Sequence, residues 1–104
     1  MYVRIARFDA GERDWDEFAD GVKETIRNGG KGTPIESVSD AITRVMLFAD
    51  REGGHGANLI MCETEDEMRR TDAAFNAITP VAGRGPRTSV EIYEVLMDET
   101  PPRT

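Results

Sequence analysis

One stretch of the sequence decides the fold, namely ANLIMCETEDE at residues 57–67. Its first residues are mostly apolar and follow a glycine-rich segment, which is typical of a strand. Thr64 and Glu67 then have the spacing of a capping box, in which side chains satisfy free backbone N–H groups at a helix start. The stretch therefore predicts a strand over Ala57–Glu63 that leads directly into a helix.

The helix that follows Thr64 continues through apolar side chains at helical spacing. They are Met68, Thr71, Ala74, Phe75 and Ile78. Pro80 and Gly83 are expected to end this helix, because neither residue favours a continued helical turn.

An earlier helix is predicted in the same way. Asp14 and Glu17 form its capping box, and Gly29 and Gly30 end it. Its apolar face consists of Trp15, Phe18, Ala19, Val22 and Ile26.

The remaining segments complete the order of elements. Tyr2–Phe8, Ala41–Asp50 and Thr88–Leu96 are predicted strands, since they are rich in apolar and β-branched residues. Residues 31–40, with Pro34, Ser37 and Ser39, are interpreted as a loop in which one short helical turn is an open alternative, and residues 51–56 as a turn. The order β, α, β, β, α, β indicates a ferredoxin-like α+β fold.

Length and charge limit the functional classes. A chain of 104 residues makes one domain, predicted over residues 1–97 with a flexible tail at 98–104. The net charge of −7 makes nucleic acid and anionic membranes poor partners. Cys62 is the single cysteine, and the sequence begins without a pattern typical of a secretion signal. We therefore expect a cytoplasmic protein.

The strands also predict self-association. Val45 and Leu47 lie on one face of the second strand, while Met46 and Phe48 lie on the other. Two helices cover only one face of a four-stranded sheet, and leaving such side chains in water would forfeit about 1.5–3 kcal/mol for each. We therefore expect a homodimer in which two sheets pack face to face.

Three segments carry a resemblance to a known family. They are the strand end and acidic helix start at residues 62–67, the opening strand at residues 2–8 and the closing strand at residues 90–95. Together they resemble the dimeric α+β barrel superfamily, and most of all its antibiotic biosynthesis monooxygenase-type (ABM) domains. The resemblance implies a four-stranded antiparallel sheet with two main helices on one face, paired into a dimeric barrel.

Members of that superfamily include cofactor-free oxygenases, haem-degrading enzymes, isomerases and domains without known chemistry. In the oxygenases, a polar residue and a Trp on the third strand line a pocket between sheet and helices. Asn58 matches the polar position, and Cys62 stands where the Trp is common. The resemblance thus implies a small-molecule-binding dimer, with cofactor-free monooxygenation of a small aromatic or polyketide-like compound as its chemistry. The alternative is a non-catalytic binding or structural dimer with a filled core.

Two residues are candidates for catalysis. Asn58 is a polar amide within an apolar strand, so once buried it needs a partner, either a ligand or a neighbouring strand. The Tyr93 hydroxyl is able to donate to a substrate carbonyl, although packing at the dimer interface with its hydroxyl satisfied is the preferred interpretation.

Four residues are candidates for ligand binding, and each has a structural alternative. Trp15 and Phe75 belong to apolar helix faces, so they form either pocket wall or core. Arg44 is suited to a carboxylate ligand or to an ion pair across the sheet. Cys62 lines the predicted pocket or fills the core as a small apolar side chain.

No cofactor and no metal site are expected. His55 is the sole histidine, and a single histidine without neighbouring Cys or His does not make a metal site. We interpret it as a solvated turn residue between two glycines.

Overall fold

The computed structural model describes residues 1–9, 14–78 and 87–102. The elements along the chain are β1 (Tyr2–Asp9), α1 (Trp15–Arg27), a 3-10 helix (Pro34–Ala41), β2 (Ile42–Asp50), β3 (His55–Cys62), α2 (Glu65–Asn76) and β4 (Arg87–Glu94). The strands form one antiparallel sheet in the order β2-β3-β1-β4. This is the ferredoxin-like α+β order that the sequence predicts.

Both predicted helix starts are confirmed. The Asp14 carboxylate accepts a hydrogen bond from the backbone N–H of Glu17 at 3.0 Å. The Thr64 hydroxyl oxygen accepts one from the backbone N–H of Glu67 at 3.1 Å. These bonds fix where α1 and α2 begin, and therefore where each helix leaves the sheet.

Residues 31–40 are more helical than the loop interpretation allowed, because a 3-10 helix runs from Pro34 to Ala41 and is longer than the one short turn left open. Its buried side chains, Ile35, Val38 and Ala41, recur every three residues, which is the period of this helix type. Gly30 makes the close approach possible, since its φ is +72° and a Cβ there would lie 2.8 Å from the Cβ of Ile35.

Some element ends differ from the predictions. β3 begins at His55, so this residue lies in the strand rather than in the preceding turn. β4 ends at Glu94, and residues 95–102 have no regular secondary structure. α2 ends at Asn76, while the expected terminators Pro80 and Gly83 lie outside the described residues.

The strand register divides the sheet residues between two faces. The face toward the helices, called the inner face below, carries Arg4, Ala6, Phe8, Val45, Leu47, Asn58, Ile60 and Cys62. The opposite or outer face carries Val3, Ile5, Met46, Phe48, Leu59 and Met61. Phe48 is 44% exposed, and the prediction of apolar side chains on both faces is confirmed.

The layer between helices and sheet is packed unevenly. Under α2 and the 3-10 helix it is filled by the buried side chains of Met68, Thr71, Ala74 and Val38. On α1 only Trp15 is buried, and the apolar side chains that follow it are half-buried. We call these two regions the filled half and the open half.

Among the described residues, no helix is both long and apolar enough to cross a membrane. No group of three or more His, Cys, Asp or Glu side chains among them is arranged to hold a metal ion.

Candidate functional site

The open half contains a cavity of about 160 Å³, partly open to solvent, between α1 and the inner face of the sheet. Its apolar walls are formed by Phe18, Val22, Ile26, Ile35, Val45, Leu47, Ile60 and Ile78. Four polar side chains also reach it, those of Arg4, Thr25, Asn58 and Arg87. An apolar cavity with a few convergent polar groups is the usual form of a small-molecule site.

Three aromatic rings close one end of the cavity. Phe8 and Phe18 line it, with ring centroids 5.9 Å apart, and Trp15 packs behind both at 6.1 Å from each. Gly56 makes room for them, because a Cβ on this residue would lie 2.8 Å from atoms of Phe8 and Trp15. A glycine on β3 therefore allows the aromatic wall to stand close to the sheet.

Asn58 lies on the inner face of β3, between Ala6 on β1 and Leu47 on β2. Its Oδ1 atom is buried and has no hydrogen-bond partner among the described residues. A buried acceptor without a partner is costly, by about 1–3 kcal/mol. The atom is thus available to a donor that enters the cavity.

Arg4 lies on the inner face of β1 and is only 1% exposed. Its Nε donates to Asp72 Oδ1 at 2.9 Å, and its Nη2 donates to Asn76 Oδ1 at 2.9 Å. Its guanidinium also lies 5.5 Å from the centre of the Phe75 ring. One carboxylate, one amide and one aromatic ring therefore hold this buried charge in place.

Arg87 reaches the cavity from the start of β4. A bulge in the β1–β4 pairing aligns Arg7 with Ser89 but Phe8 with Arg87, which turns Arg87 onto the inner face. Its Nη1 donates to Phe75 O at 3.0 Å and to Asn76 Oδ1 at 3.2 Å, and its Nη2 donates to Ile78 O at 3.3 Å. All three acceptors are neutral, and none of the ion pairs among the described residues includes Arg87.

Comparisons with known proteins identify the fold. No protein-family model matches the sequence, and no curated protein matches it. Among solved structures, the chain is similar to a variant of MhuD that was crystallised with two manganese protoporphyrin IX molecules bound per active site. The TM-score is 0.63 at 11% identity, over 97% of this chain and 100% of the other. At this identity the likeness shows the fold alone, an ABM-like α+β fold with a four-stranded antiparallel sheet and two main helices.

Within this fold, three of the predicted site residues lie at the cavity or directly behind its wall. Asn58 and Phe75 line the cavity. Trp15 is buried behind Phe8 and Phe18, so it supports the aromatic wall from the side away from the cavity.

Two other predicted residues lie on the outer face of the sheet, away from the cavity. Tyr93 pairs in register with Val3, is 50% exposed, and donates its hydroxyl hydrogen bond to Glu91, which also pairs with Arg7. Arg44 is exposed and lies opposite Met61. The cavity is therefore built without either side chain.

Cys62 lies on the inner face but at the filled half. Its thiol is buried and donates to Thr71 Oγ1 at 3.4 Å. Burial raises the pKa of the Cys62 thiol, and the nearby Glu67 charge acts in the same direction, whereas the Thr71 hydrogen bond lowers it. The protonated thiol is a poor nucleophile, and its position suits a core residue.

The sequence analysis missed the two cavity arginines. Arg4 alternates with Ala6 and Phe8, so the period of two was enough to place it on a buried face. Arg87 carried no such signal, since its orientation depends on a bulge that only the β1–β4 pairing reveals.

Proposed function

We propose that this protein binds a small organic molecule, most simply one with a single aromatic ring, in the cavity between α1 and the sheet. The unpartnered Asn58 Oδ1 within an apolar cavity is the observation that carries the proposal. A ring would pack against the apolar walls, and its hydroxyl or amine would donate to Asn58. A non-catalytic dimer with a filled core is the alternative, and the presence of the cavity does not favour it.

A porphyrin such as the one bound by the MhuD variant does not suit this cavity. Haem iron is held in proteins by His, Cys, Met or Tyr side chains, and none of these lines the cavity among the described residues. The sole histidine, His55, lies exposed on β3 with its Nδ1 2.7 Å from Asp9. A volume of about 160 Å³ is also below the roughly 300–1,000 Å³ of sites for drug-sized ligands.

Binding of phenol to the isotope-labelled protein, followed by amide NMR shifts, tests the proposal. Val22→Phe should fill the cavity and abolish binding. Lys23→Phe adds the same ring at the exposed neighbouring position, so it should leave binding unchanged. If phenol binds nowhere at millimolar concentration, or binds the Val22→Phe variant equally well, the cavity is not a ligand site.

We infer that the functional form is a cytoplasmic homodimer joined through the outer faces of two sheets. The described helices lie on the inner side, while the outer face presents the exposed Phe48 and the half-buried Leu59 and Met61. An exposed apolar patch of this kind favours association. The single buried free cysteine suits a reducing compartment.

Analytical ultracentrifugation at micromolar concentration tests the dimer. The protein should sediment with the mass of two chains, and Phe48→Glu should shift it to one, because the charge would be buried in the interface. Asp66→Lys on exposed α2 is the control and should remain dimeric. A monomeric mass for the unchanged protein would refute the interface.

Cofactor-free monooxygenation of a small phenol is the second candidate. The positive charges of Arg4 and Arg87 at the cavity favour an ionised, electron-rich phenol, which is the form that reacts with molecular oxygen. In such a reaction a ring C–H becomes a C=O and the hydroxyl becomes a second C=O. The other oxygen atom leaves as water with the two hydrogens, so the substrate supplies every electron.

Oxygen uptake in the presence of an electron-rich phenol tests this candidate. Uptake should match quinone formation one to one and should fall sharply in Asn58→Ala while the dimer stays intact. Uptake no faster than in buffer alone would leave a binding protein without this chemistry.

A further inference from the structure

We propose that the ligand of this cavity is a small organic monoanion, an aromatic carboxylate of the benzoate class whose carboxylate binds at Arg87. This inference rests on the proposed function, because it names the ligand class of the same cavity. It follows from the charges at the cavity, the free donors of Arg87 and the size of the apolar space.

The cavity carries an excess of positive charge. Arg4 and Arg87 each carry a guanidinium cation. Asp72, which pairs with Arg4, is the single carboxylate in contact with either one among the described residues. One unit of positive charge therefore remains. The whole chain has a net charge of −7, so this local excess contrasts with the rest of the molecule.

The two guanidinium groups are held close together. Arg4 Nη2 and Arg87 Nη1 both donate to Asn76 Oδ1, at 2.9 and 3.2 Å, which puts the two nitrogens no more than about 6 Å apart. Like charges at this separation repel each other. A bound anion would relieve the repulsion, whereas a neutral ligand would not.

Arg87 also retains hydrogen-bonding capacity. A guanidinium has five N–H groups, and the bonds to Phe75 O, Asn76 Oδ1 and Ile78 O use three of them. One N–H on Nε and one on Nη2 are left without an acceptor among the described residues. A carboxylate accepts two hydrogen bonds from such a pair in a bidentate arrangement.

The rest of the cavity indicates an organic anion rather than an inorganic one. Phe18, Val22, Ile26 and Leu47 offer apolar walls that phosphate or chloride would leave uncovered. The volume of about 160 Å³ is close to that of an engineered apolar cavity of about 150 Å³ that binds benzene. A ring hydroxyl would in addition donate to the free Asn58 Oδ1.

Calorimetric titration of the full chain at pH 7 with benzoate and with benzyl alcohol tests the inference, because the two ligands share a ring and differ in charge. Benzoate should bind roughly tenfold more tightly or better, as expected for a charged hydrogen bond. Arg87→Gln should reduce benzoate affinity to that of benzyl alcohol and leave the alcohol unaffected. Arg87→Lys should restore part of the difference, and Arg69→Gln, an exposed arginine on α2, should change nothing.

The outcomes separate the two proposals. Equal affinity for benzoate and benzyl alcohol, or an unchanged benzoate affinity in folded Arg87→Gln, would overturn the anion inference and keep the small-molecule site. Failure of both ligands to bind would remove the site itself. Should Arg87→Gln fail to fold, the comparison of the two ligands on the unchanged protein still decides the matter.

Discussion

The filled half and the open half of the helix layer use the same sheet in different ways. Under α2, Met68 and Thr71 are 1% and 0% exposed and pack against the inner strands. Under α1, Val22 and Ile26 point toward the sheet but remain half-buried, and a cavity separates them from Leu47. α2 therefore completes the packed core, and α1 forms one wall of the cavity.

The difference separates the part of the fold that provides stability from the part that is able to bind a ligand. Apolar side chains that face a cavity lose part of the packing energy that a filled core would provide. The loss is confined to the half that also holds two arginines and an unpartnered amide. The filled half is therefore expected to provide most of the stability, and the open half to provide ligand recognition.

Truncation of one side chain in each half should give the largest contrast. Met68→Ala should lower the free energy of unfolding by about 2–5 kcal/mol, because it empties a fully packed site. Ile26→Ala removes a side chain of similar size next to existing empty space and also raises helix propensity, so its cost should stay below about 1.5 kcal/mol. Urea unfolding of both variants measures the two values.

Met97→Ala is the matched control, since Met97 is 79% exposed and should contribute nothing measurable. Equal costs for Met68→Ala and Ile26→Ala would mean that the two halves are equally packed in solution, and the comparison would fail.

The aromatic wall of the open half should respond to a smaller change. Gly56→Ala places a methyl group 2.8 Å from Phe8 and Trp15, so the rings must move away from the sheet. We expect a loss of about 1–3 kcal/mol, as for other overpacked sites, together with a changed emission of Trp15, the sole tryptophan. Thermal unfolding and fluorescence check the two effects.

Gly21→Ala is the control for the glycine change, because a Cβ there meets nothing within 4 Å and α1 gains helix propensity. An unchanged stability and emission in Gly56→Ala would show that the aromatic rings stand farther from β3 than described.

The sequence was sufficient for the order of elements because the deciding signals are local. The capping residues Asp14 and Thr64 act within three positions, and the continuous apolar runs of β2 and β3 are visible without knowledge of their neighbours. The 3-10 helix had a local signal as well, the three-residue spacing of Ile35, Val38 and Ala41. Pro34, Ser37 and Ser39 obscured it, because these residue types are common in loops.

The site was only partly predictable because its other determinants are not local. Both sheet faces are apolar, so the pattern alone does not tell which face meets the helices, and Arg44 and Tyr93 lie on the outer one. Arg4 is buried through partners at Asp72 and Asn76, about 70 positions away. Arg87 faces the cavity through a bulge that depends on pairing with β1.

The smallest expected effect is at Asn58, an amide that lines the cavity, and the same exchange at the exposed Asn76 should have the opposite sign. Asn58→Leu replaces a buried amide whose Oδ1 lacks a partner by an apolar side chain of similar shape, so it should stabilise the ligand-free protein by about 1 kcal/mol. Asn76→Leu makes the same exchange where Oδ1 accepts from both Arg4 and Arg87, so it should destabilise by roughly 1–3 kcal/mol. Thermal unfolding without ligand measures both, and phenol binding to Asn58→Leu should be weakened in parallel.

A stabilised variant that no longer binds ligand would mean that Asn58 contributes to ligand recognition and lowers the stability of the free protein. A destabilised Asn58→Leu would instead mean that ordered water satisfies the amide in the free protein, and the open half would then be hydrated rather than poised for a ligand donor.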